Sequence, residues 1–195
     1  ACISTAISSK PGGINVGVDM SDNSASMTQP HITEQSGDRP LRDWTGAIVD
    51  TLPGKIQVGA SAVVFDSEGK LLLQLREDNR HWAMPGGRLD PGEDIQTCAV
   101  REVLEECGLH VRVLRVVGLY SDPYQFMIAR YPDGSTTQMF NVCFECEITG
   151  GQLAISDESL DIGFFDVHAL PEPLLFTHRP RIADALARRV EPFVR

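Results

Sequence analysis

Three glutamates, Glu102, Glu105 and Glu106, stand close together in the sequence, shortly after a loop rich in glycine and proline. At about 100° per residue, a helix would place their side chains within roughly 100° of arc on one face. Carboxylates at this spacing repel one another, so a stable arrangement needs a positive charge nearby. Oxygen ligands of this kind suit a hard cation such as Mg²⁺, with Mn²⁺ able to substitute, rather than zinc.

A metal site of this composition would serve phosphoryl chemistry. Mg²⁺ keeps several waters and shares its coordination shell with the phosphate oxygens of a substrate. The glycines of the preceding "PGG" would let the backbone approach closely, so that a carbonyl oxygen adds a further ligand. The alternative interpretation is a solvated acidic face of a helix, which the three glutamates taken alone do not exclude.

The element that would carry the glutamates is a helix over residues 94–107. Val100, Leu104 and Cys107 recur at helical spacing and predict an apolar stripe that faces the core. The carboxylates would then lie on the opposite, open side of the helix. Gly108 follows as a signal for the end of the helix.

The rest of the chain predicts strands before, between and after two helices, and therefore a mixed sheet packed between helices. The pattern is typical of a β-hairpin at 57–66 and 70–76, followed by a loop at 80–94. The remaining predicted elements are a strand at 110–120, a polar loop at 121–136, strands at 137–148 and 161–167, and a closing helix at 178–190.

The residues around the glutamates resemble the Nudix box. Gly87 is followed after five residues by Glu93, and after seven more by "REVLEECGL", residues 101–109, so every fixed position of the motif is present. The wider resemblance extends from about Val58 to Val167. It implies a protein of the α/β class, an α/β/α sandwich around a mixed sheet. It also implies a hydrolase that uses a divalent metal to cleave a nucleoside diphosphate linked to another moiety, X.

The resemblance implies roles for individual residues of the motif. Glu102, Glu105 and Glu106 would be metal ligands, and the carbonyl oxygen of Gly86 would join them. Arg101 would orient the glutamates through charge-assisted hydrogen bonds.

Two further acidic positions follow from the same resemblance. Glu93 would hold Arg101 or the start of the helix. A glutamate beyond the motif often completes the metal site or acts as base, and the matching position is Glu158, with its neighbour Asp157 as the alternative. The general base stays open among Glu102, Glu105 and Glu158.

Substrate choice in this family tends to lie in the loop after the motif, here residues 120–138. Pro123 lies close to where ADP-ribose-hydrolysing members have a proline, although a turn explains a proline equally well. Tyr124 could stack on a base. Arg76 could meet a phosphate or pair with neighbouring carboxylates, and Trp82 could stack on a base or pack its loop onto the sheet.

The resemblance favours ADP-ribose or a related nucleoside diphosphate sugar as substrate, and fixes neither the base nor X. The alternatives are an (oxidised) nucleoside triphosphate and, in another class, a non-catalytic nucleotide-sensing module. Such modules usually lose glutamates from the motif, and this chain retains them all, which favours an enzyme. Arg130 and Tyr131 are further candidates for phosphate and base, whereas Arg179 and Arg181 are predicted to dock and cap the closing helix.

The charge and composition of the chain limit the classes of partner that it is expected to bind. The chain of 195 residues has 27 acidic and 17 basic side chains, a net charge of -10. Nonspecific binding to nucleic acid polymers or anionic lipid needs a basic surface, so a small nucleotide is the expected partner. No apolar run of about 18 residues is present, and no membrane-spanning segment is expected.

The five cysteines predict reduced thiols rather than a disulfide framework, because their number is odd and no spacing repeats. Cys143 and Cys146 form a CxxC within a predicted strand. Residues three apart on a strand point to opposite faces, which disfavours a shared metal. Reduced thiols fit a cytoplasmic location.

Residues 1–40 are polar and aperiodic, and residues 41–195 are predicted to form the hydrolase domain. The N-terminal segment lacks the cationic and apolar regions of a secretory signal. It is expected to be a flexible tail, a leader ahead of a start at Met27, or an arm that orders on a second subunit. The last of these would make the protein a homodimer.

Overall fold

The computed structural model describes residues 39–195. The predictions for residues 1–40 therefore fall almost entirely outside the described residues. Nine strands, two α-helices and one short 3₁₀ helix make up the described part. In chain order the strands are β1 (Ile56–Val64), β2 (Leu71–Arg76), β3 (Trp82–Ala83), β4 (Gly86–Arg88), β5 (Leu109–Tyr120), β6 (Ile128–Arg130), β7 (Thr136–Gly151), β8 (Ser159–Phe165) and β9 (Phe193–Val194); the helices are α1 (Ile95–Cys107) and α2 (His178–Leu186).

The larger sheet is mixed, as predicted. Its strands follow the order β4-β1-β7-β5-β9, and β6 pairs with β7 at one end. β1 runs parallel to β7, whereas β5 and β7 are antiparallel. A second sheet of three strands has the order β3-β2-β8. β4, which contains the two glycines of the loop and leads towards α1, is antiparallel to β1, and this pairing places the loop at the edge of the larger sheet, next to β1.

The two faces of the larger sheet carry separate cores because side chains alternate along each strand. On β1, Ala62 and Val64 belong to the core beneath α1, while Val63 belongs to the core beneath α2. Cys146 lies in the first core and Cys143 in the second, which confirms that the CxxC points to opposite faces. The α/β/α sandwich is confirmed.

Helix α1 begins and ends where the sequence predicts. The Asp94 side chain accepts hydrogen bonds from the backbone N–H groups of Gln96 and Thr97, each at 2.9 Å. At the other end Gly108 adopts φ +70°, and its N–H donates to the carbonyl of Leu104 at 2.9 Å. A Cβ at residue 108 would collide with the Gln152 carbonyl, so this helix end needs glycine on two counts.

The predicted buried stripe of α1 is partly wrong. Leu104 is 42% exposed and Val100 only partly buried, while Cys107 is buried as predicted. The residues that join Cys107 against the sheet are small, chiefly Ala99 and Val103. Small side chains let the helix approach the sheet closely, and a search for large apolar residues underrates them.

Three other predicted elements differ in the structure. The predicted hairpin is split, because β1 and β2 join different sheets and are linked only by an isolated bridge between Phe65 and Leu71. The predicted loop at 80–94 contains β3 and β4. The predicted polar loop at 121–136 contains the 3₁₀ helix Pro123–Gln125 and β6. Each of these short strands is defined by its pairing with a longer strand, β3 with β2, β4 with β1 and β6 with β7, so the pattern within two or three residues does not reveal it.

Among residues 39–195, no helix is long and apolar enough to cross a membrane. The four cysteines of this part are free thiols. Burial raises the pKa of each above its ordinary value, which keeps the thiols protonated at neutral pH; they are Cys98, Cys107, Cys143 and Cys146.

Replacing the capping residue should destabilise the fold. Asp94→Ala removes two hydrogen bonds from backbone N–H groups and one from the Thr97 hydroxyl at the start of α1, and we expect the free energy of unfolding to fall by about 1 kcal/mol. Urea unfolding measures the change. Gln96→Ala, in the same exposed turn, is the matched control and should change stability by less than about 0.5 kcal/mol. Equal losses in both variants would contradict the role of the cap.

Candidate active site

A cleft of about 340 Å³ opens on the side of the larger sheet that faces α2. Its size is in the range of small-molecule sites. The floor comes from β1 and β7, one end from the glycine loop and α1, and a wall from the first residues of α2. The sequence candidates that line it are Arg76, Gly86, Arg101, Glu102, Glu105, Glu106, Tyr131 and Glu158.

Arg101 holds the acidic residues together. Its Nε and Nη2 atoms donate to the two carboxylate oxygens of Glu93 at 2.9 and 3.0 Å. Its Nη1 atom donates to Glu102 at 2.8 Å and to Glu105 at 3.0 Å. Nη2 also donates to the carbonyl of Arg88 in β4, at 3.0 Å. One guanidinium therefore links the glycine loop to α1 and offsets the repulsion between the carboxylates.

Glu106 is buried, with 6% of its surface exposed, and it has no salt bridge within the described residues. Its Oε2 accepts a hydrogen bond from the N–H of Gly86 at 2.8 Å. Burial raises the pKa of Glu106 to about 7. Gly86 can approach this carboxylate because it has φ +151°, and a Cβ there would collide with Ala60 and Ser61 of β1.

Glu102 depends on the second glycine of the loop. A Cβ at Gly87 would collide with the Glu102 carboxylate, so only glycine leaves room for this side chain in its present position. Burial raises the pKa of Glu102, and the ion pair with Arg101 opposes that effect. The glycine loop and the helix are thus fitted to each other at the level of single carboxylate groups.

The three glutamates line the same cleft, but their carboxylates do not converge on one point as the side chains stand. Glu102 and Glu105 turn to Arg101, and Glu106 turns to Gly86. In residues 39–195, no three carboxylate, imidazole or thiol groups surround one point. The donor set nevertheless fits a hard divalent cation: all donors are oxygens, and buried Glu106 lacks a cationic partner in this part of the chain.

The positive side of the cleft includes Arg76, which forms two hydrogen bonds with Asp78, at 2.9 and 2.8 Å. Its guanidinium also lies 5.5 Å from the ring centroid of Trp44. Burial lowers the pKa of Arg76, but the ion pair with Asp78 and the charges of Glu106 and Glu158 raise it by more. Arg76 therefore stays charged beside the carboxylates.

Four candidates for substrate binding, Trp82, Pro123, Tyr124 and Arg130, are not among the residues that line the cleft. Trp82 is in the core, edge-to-face with Phe165 at a centroid distance of 4.7 Å, so the packing alternative is correct. Pro123 and Tyr124 belong to the 3₁₀ helix, and neither lines the cleft. Arg130 is also a poor phosphate ligand, because it is paired with Asp43 at 2.7 Å.

Sequence reasoning missed several cleft residues on α2. His178 and Arg181 are 7% and 2% exposed, and both line the cleft rather than cap the helix. Arg181 donates to Thr177 Oγ1 at 2.9 Å and has no carboxylate partner in the described chain. The signal was present: His178, Arg181, Ile182 and Ala185 recur at i, i+3, i+4 and i+7, which is the spacing of a buried helix face.

Burial lowers the pKa values of the two basic side chains that α2 contributes to the cleft, His178 and Arg181. Burial lowers the pKa of Arg181 to about 10, and burial together with nearby arginines lowers the pKa of His178 well below its ordinary value. His178 is therefore neutral and Arg181 charged at neutral pH. Another cleft residue that sequence reasoning missed is Trp44, which lies in a short segment ahead of β1.

Comparison with known proteins agrees with this geometry. A family model described as a NUDIX domain matches residues 55–188. An ADP-ribose pyrophosphatase of Methanocaldococcus jannaschii is 33% identical over 124 residues, which cover 62% of this chain and 68% of that protein. A putative 8-oxo-dGTP diphosphatase of Bacillus subtilis is 42% identical over 65 residues, or 33% of this chain and 44% of that protein.

Solved structures agree on the fold. The crystal structure of an ADP-ribose pyrophosphatase from Streptococcus suis matches with a TM-score of 0.54 at 24% sequence identity. The match covers 71% of this chain and 97% of that chain. At this identity the likeness concerns the arrangement of helices and strands.

Buried Glu106 should make the stability of the metal-free protein depend on pH. Its pKa is higher in the folded than in the unfolded chain, so the folded state gains stability as pH falls from about 7 towards about 4.5. Glu106→Gln removes this gain. The difference in unfolding free energy between wild type and variant should therefore change with pH, by at most about 1.4 kcal/mol per pH unit.

Urea unfolding in a chelator, at several pH values between about 5 and 8, measures that difference. Comparing two proteins cancels the opposite contribution of His178, whose lowered pKa destabilises the folded state as pH falls. A difference that stays constant across the range would contradict the assignment to Glu106.

Proposed function

Since this chain belongs to the Nudix hydrolase family, we propose that it is a Mg²⁺-dependent enzyme that cleaves the diphosphate of ADP-ribose or a related nucleoside diphosphate sugar. The family match covers residues 55–188 and includes the whole motif. The chain is accordingly a hydrolase of nucleoside diphosphate derivatives. The choice of metal, of sugar and of base is the proposal.

The observation that carries the proposal is the composition of one cleft. Four carboxylates line it together with the two glycines of the loop and four guanidinium groups; the carboxylates are Glu102, Glu105, Glu106 and Glu158, and the guanidinium groups are those of Arg76, Arg88, Arg101 and Arg181. Arg101 is paired with Glu102 and Glu105, and Glu106 and Glu158 form no salt bridge among the described residues, so the acidic end of the cleft disfavours an anionic substrate unless a further cation intervenes. The same acids are the ligands that Mg²⁺ prefers, which resolves the conflict.

The metal would be held by Glu102, Glu105 and Glu106, with the Gly86 carbonyl as a further ligand. When bound, a divalent ion offsets the charge of the diphosphate and makes a bound water more acidic. Arg101 keeps two of these carboxylates in place, and the Gly86 N–H keeps the third. Mn²⁺ offers a similar preference for oxygen ligands and is expected to substitute.

The reaction consists of the attack of water on one phosphorus of the diphosphate. The bond from that phosphorus to the bridging oxygen breaks, and the bridging oxygen leaves with the other phosphate. A carboxylate accepts the proton of the attacking water; the candidates are Glu102, Glu105 and Glu158. The products are a nucleoside monophosphate and X-phosphate, which for ADP-ribose are AMP and ribose 5-phosphate.

The preference for a nucleotide sugar rests on the one of these two relatives that matches the longer stretch of this chain. That M. jannaschii protein is named an ADP-ribose pyrophosphatase and is 33% identical over most of the domain. The B. subtilis relative, named a putative 8-oxo-dGTP diphosphatase, supports the alternative of an oxidised nucleoside triphosphate, over a shorter stretch. Pro123 and Tyr124 lend no support to either, because they lie outside the cleft lining.

Loss of a single ligand charge should stop catalysis without unfolding the protein. Glu105→Gln and Glu106→Gln keep the shape of each side chain and remove its charge, so we expect kcat/KM to fall roughly 100-fold or more. Circular dichroism checks the fold. Glu147→Gln, which only breaks a surface ion pair with Arg112, is the matched control and should retain activity. Near-normal turnover in both cleft variants would refute the site.

The preferred substrate is identified by measuring kcat/KM for ADP-ribose, dGTP and 8-oxo-dGTP at one Mg²⁺ concentration and comparing the three values. We expect ADP-ribose to be the better substrate, with AMP released, and no activity in excess chelator until Mg²⁺ is restored. The preference should exceed about threefold, since a buried polar site rejects ill-fitting analogues. A triphosphate preferred tenfold or more, with pyrophosphate as product, would establish the alternative.

A further inference from the structure

Trp44 is a half-buried aromatic side chain that lines the cleft from outside the matched family domain, which begins at residue 55. Tyr131 lies beside it, with ring centroids 6.4 Å apart and an interplanar angle of 64°. The Tyr131 hydroxyl donates to Gln57 Oε1 at 2.7 Å, which fixes that ring on the edge of β1. The two rings make an aromatic wall at one part of the cleft.

The turn that carries Trp44 is anchored by a buried carboxylate. Asp43 is 0% exposed and accepts hydrogen bonds from the N–H and hydroxyl of Thr45 and the N–H of Ala47. Arg130 of β6 donates to its other oxygen at 2.7 Å. Burial raises the pKa of Asp43, and the bonds from Thr45 and Arg130 lower it by more, so the carboxylate is charged.

The backbone of Trp44 is fixed on both sides as well. Its N–H donates to the carbonyl of Ile128 at 2.8 Å, and its carbonyl accepts from the N–H of Phe176 at 2.9 Å. A surface turn rarely receives so many constraints, and the energetic cost of burying Asp43 would be avoided by a looser segment. What these contacts achieve is a fixed position for one large aromatic side chain in the cleft.

Arg76 connects the aromatic wall to the carboxylates. Its guanidinium lies 5.5 Å from the centroid of the Trp44 ring, and it lines the same cleft as Glu106 and Glu158. The cleft thus has an aromatic part, a cationic middle and a part rich in metal-ligating oxygens. A nucleotide has the same order of chemistry, with a planar base, a ribose and an anionic diphosphate.

We propose that Trp44 is the residue on which the nucleobase of the substrate stacks, and that Asp43 positions it. This inference rests on the proposed function, because it assumes that the diphosphate binds at the glutamates. It adds a specificity element that the segment ahead of the family domain supplies. Asp43 does not touch the substrate and acts only through the turn that holds Trp44.

Tryptophan fluorescence tests the contact without catalysis. The chain has two tryptophans, and Trp82 lies in the core, so the Trp82→Phe variant leaves Trp44 as the only reporter. In a chelator, AMP should quench the emission of this variant in a saturable way. Ribose 5-phosphate, which has the phosphate and no base, should leave it unchanged. Equal effects of both compounds, or none from AMP up to its solubility, would overturn the proposal.

Kinetics on the otherwise unaltered chain tests the same contact and does not depend on Trp82→Phe folding. Stacking of a base on an aromatic ring is substantial, so Trp44→Ala should raise KM for ADP-ribose about tenfold or more, with kcat within about threefold. Trp44→Phe keeps an aromatic face and should restore most of the affinity. Asp43→Asn should raise KM in the same direction by a smaller factor. A fall in kcat with KM unchanged would overturn the proposal.

Different results would refute the base site at Trp44 and the proposed hydrolase activity. If wild type hydrolyses ADP-ribose and Trp44→Ala has an unchanged KM, the base binds elsewhere and the hydrolase assignment stands. If no nucleoside diphosphate sugar is hydrolysed while AMP still quenches Trp44, the base site stands and the substrate assignment fails. Melting temperatures of Trp44→Ala and Asp43→Asn separate both results from loss of the folded state.

Discussion

The active cleft depends on the contacts of one guanidinium, that of Arg101. It binds Glu93 and the Arg88 carbonyl on the glycine loop, and Glu102 and Glu105 on α1. Charge-assisted hydrogen bonds are about twice as strong as neutral ones, and here they join two segments that would otherwise repel through their carboxylates. The crowding of acids that the sequence displays is therefore tolerable in the protein itself, before any metal is considered.

The position of the loop then determines the rest of the site. With the loop held against α1, β4 pairs with β1; only glycine fits at residue 86, and a Cβ at residue 87 would displace the Glu102 carboxylate. Gly86 can then donate to Glu106, a carboxylate whose burial raises its pKa and costs folding free energy. A stable core would place an apolar residue there, so the acid is retained at the expense of stability, as is common for functional residues.

The sequence allowed the ends of α1, the mixed sheet and the opposed faces of the CxxC to be predicted, because each follows from local rules of capping and alternation. The prediction of a hairpin failed because β1 pairs with β7 and β2 pairs with β8. Both partners lie far away in the sequence, and no local pattern encodes these pairings. The buried face of α1 was partly misassigned because the prediction relied on large apolar residues and overlooked Ala99 and its small neighbours, which pack against the sheet. Arg181 was assigned a docking and capping role, although its helical spacing to Ile182 and Ala185 indicated a place on the buried face of α2.

The motif and the selectivity of the site have different origins in the chain. The residues that would hold metal and diphosphate come from one continuous stretch, which is why spacing alone suggests their chemistry. The residues that face the remainder of the cleft come from α2, from β7 and from the turn at Trp44, and no short-range pattern joins them. A motif can thus specify the bond that is cleaved while leaving the base undetermined. Discrimination between bases must then come from contacts outside the motif, such as the stacking proposed for Trp44, where an ill-fitting group leaves the ring uncovered.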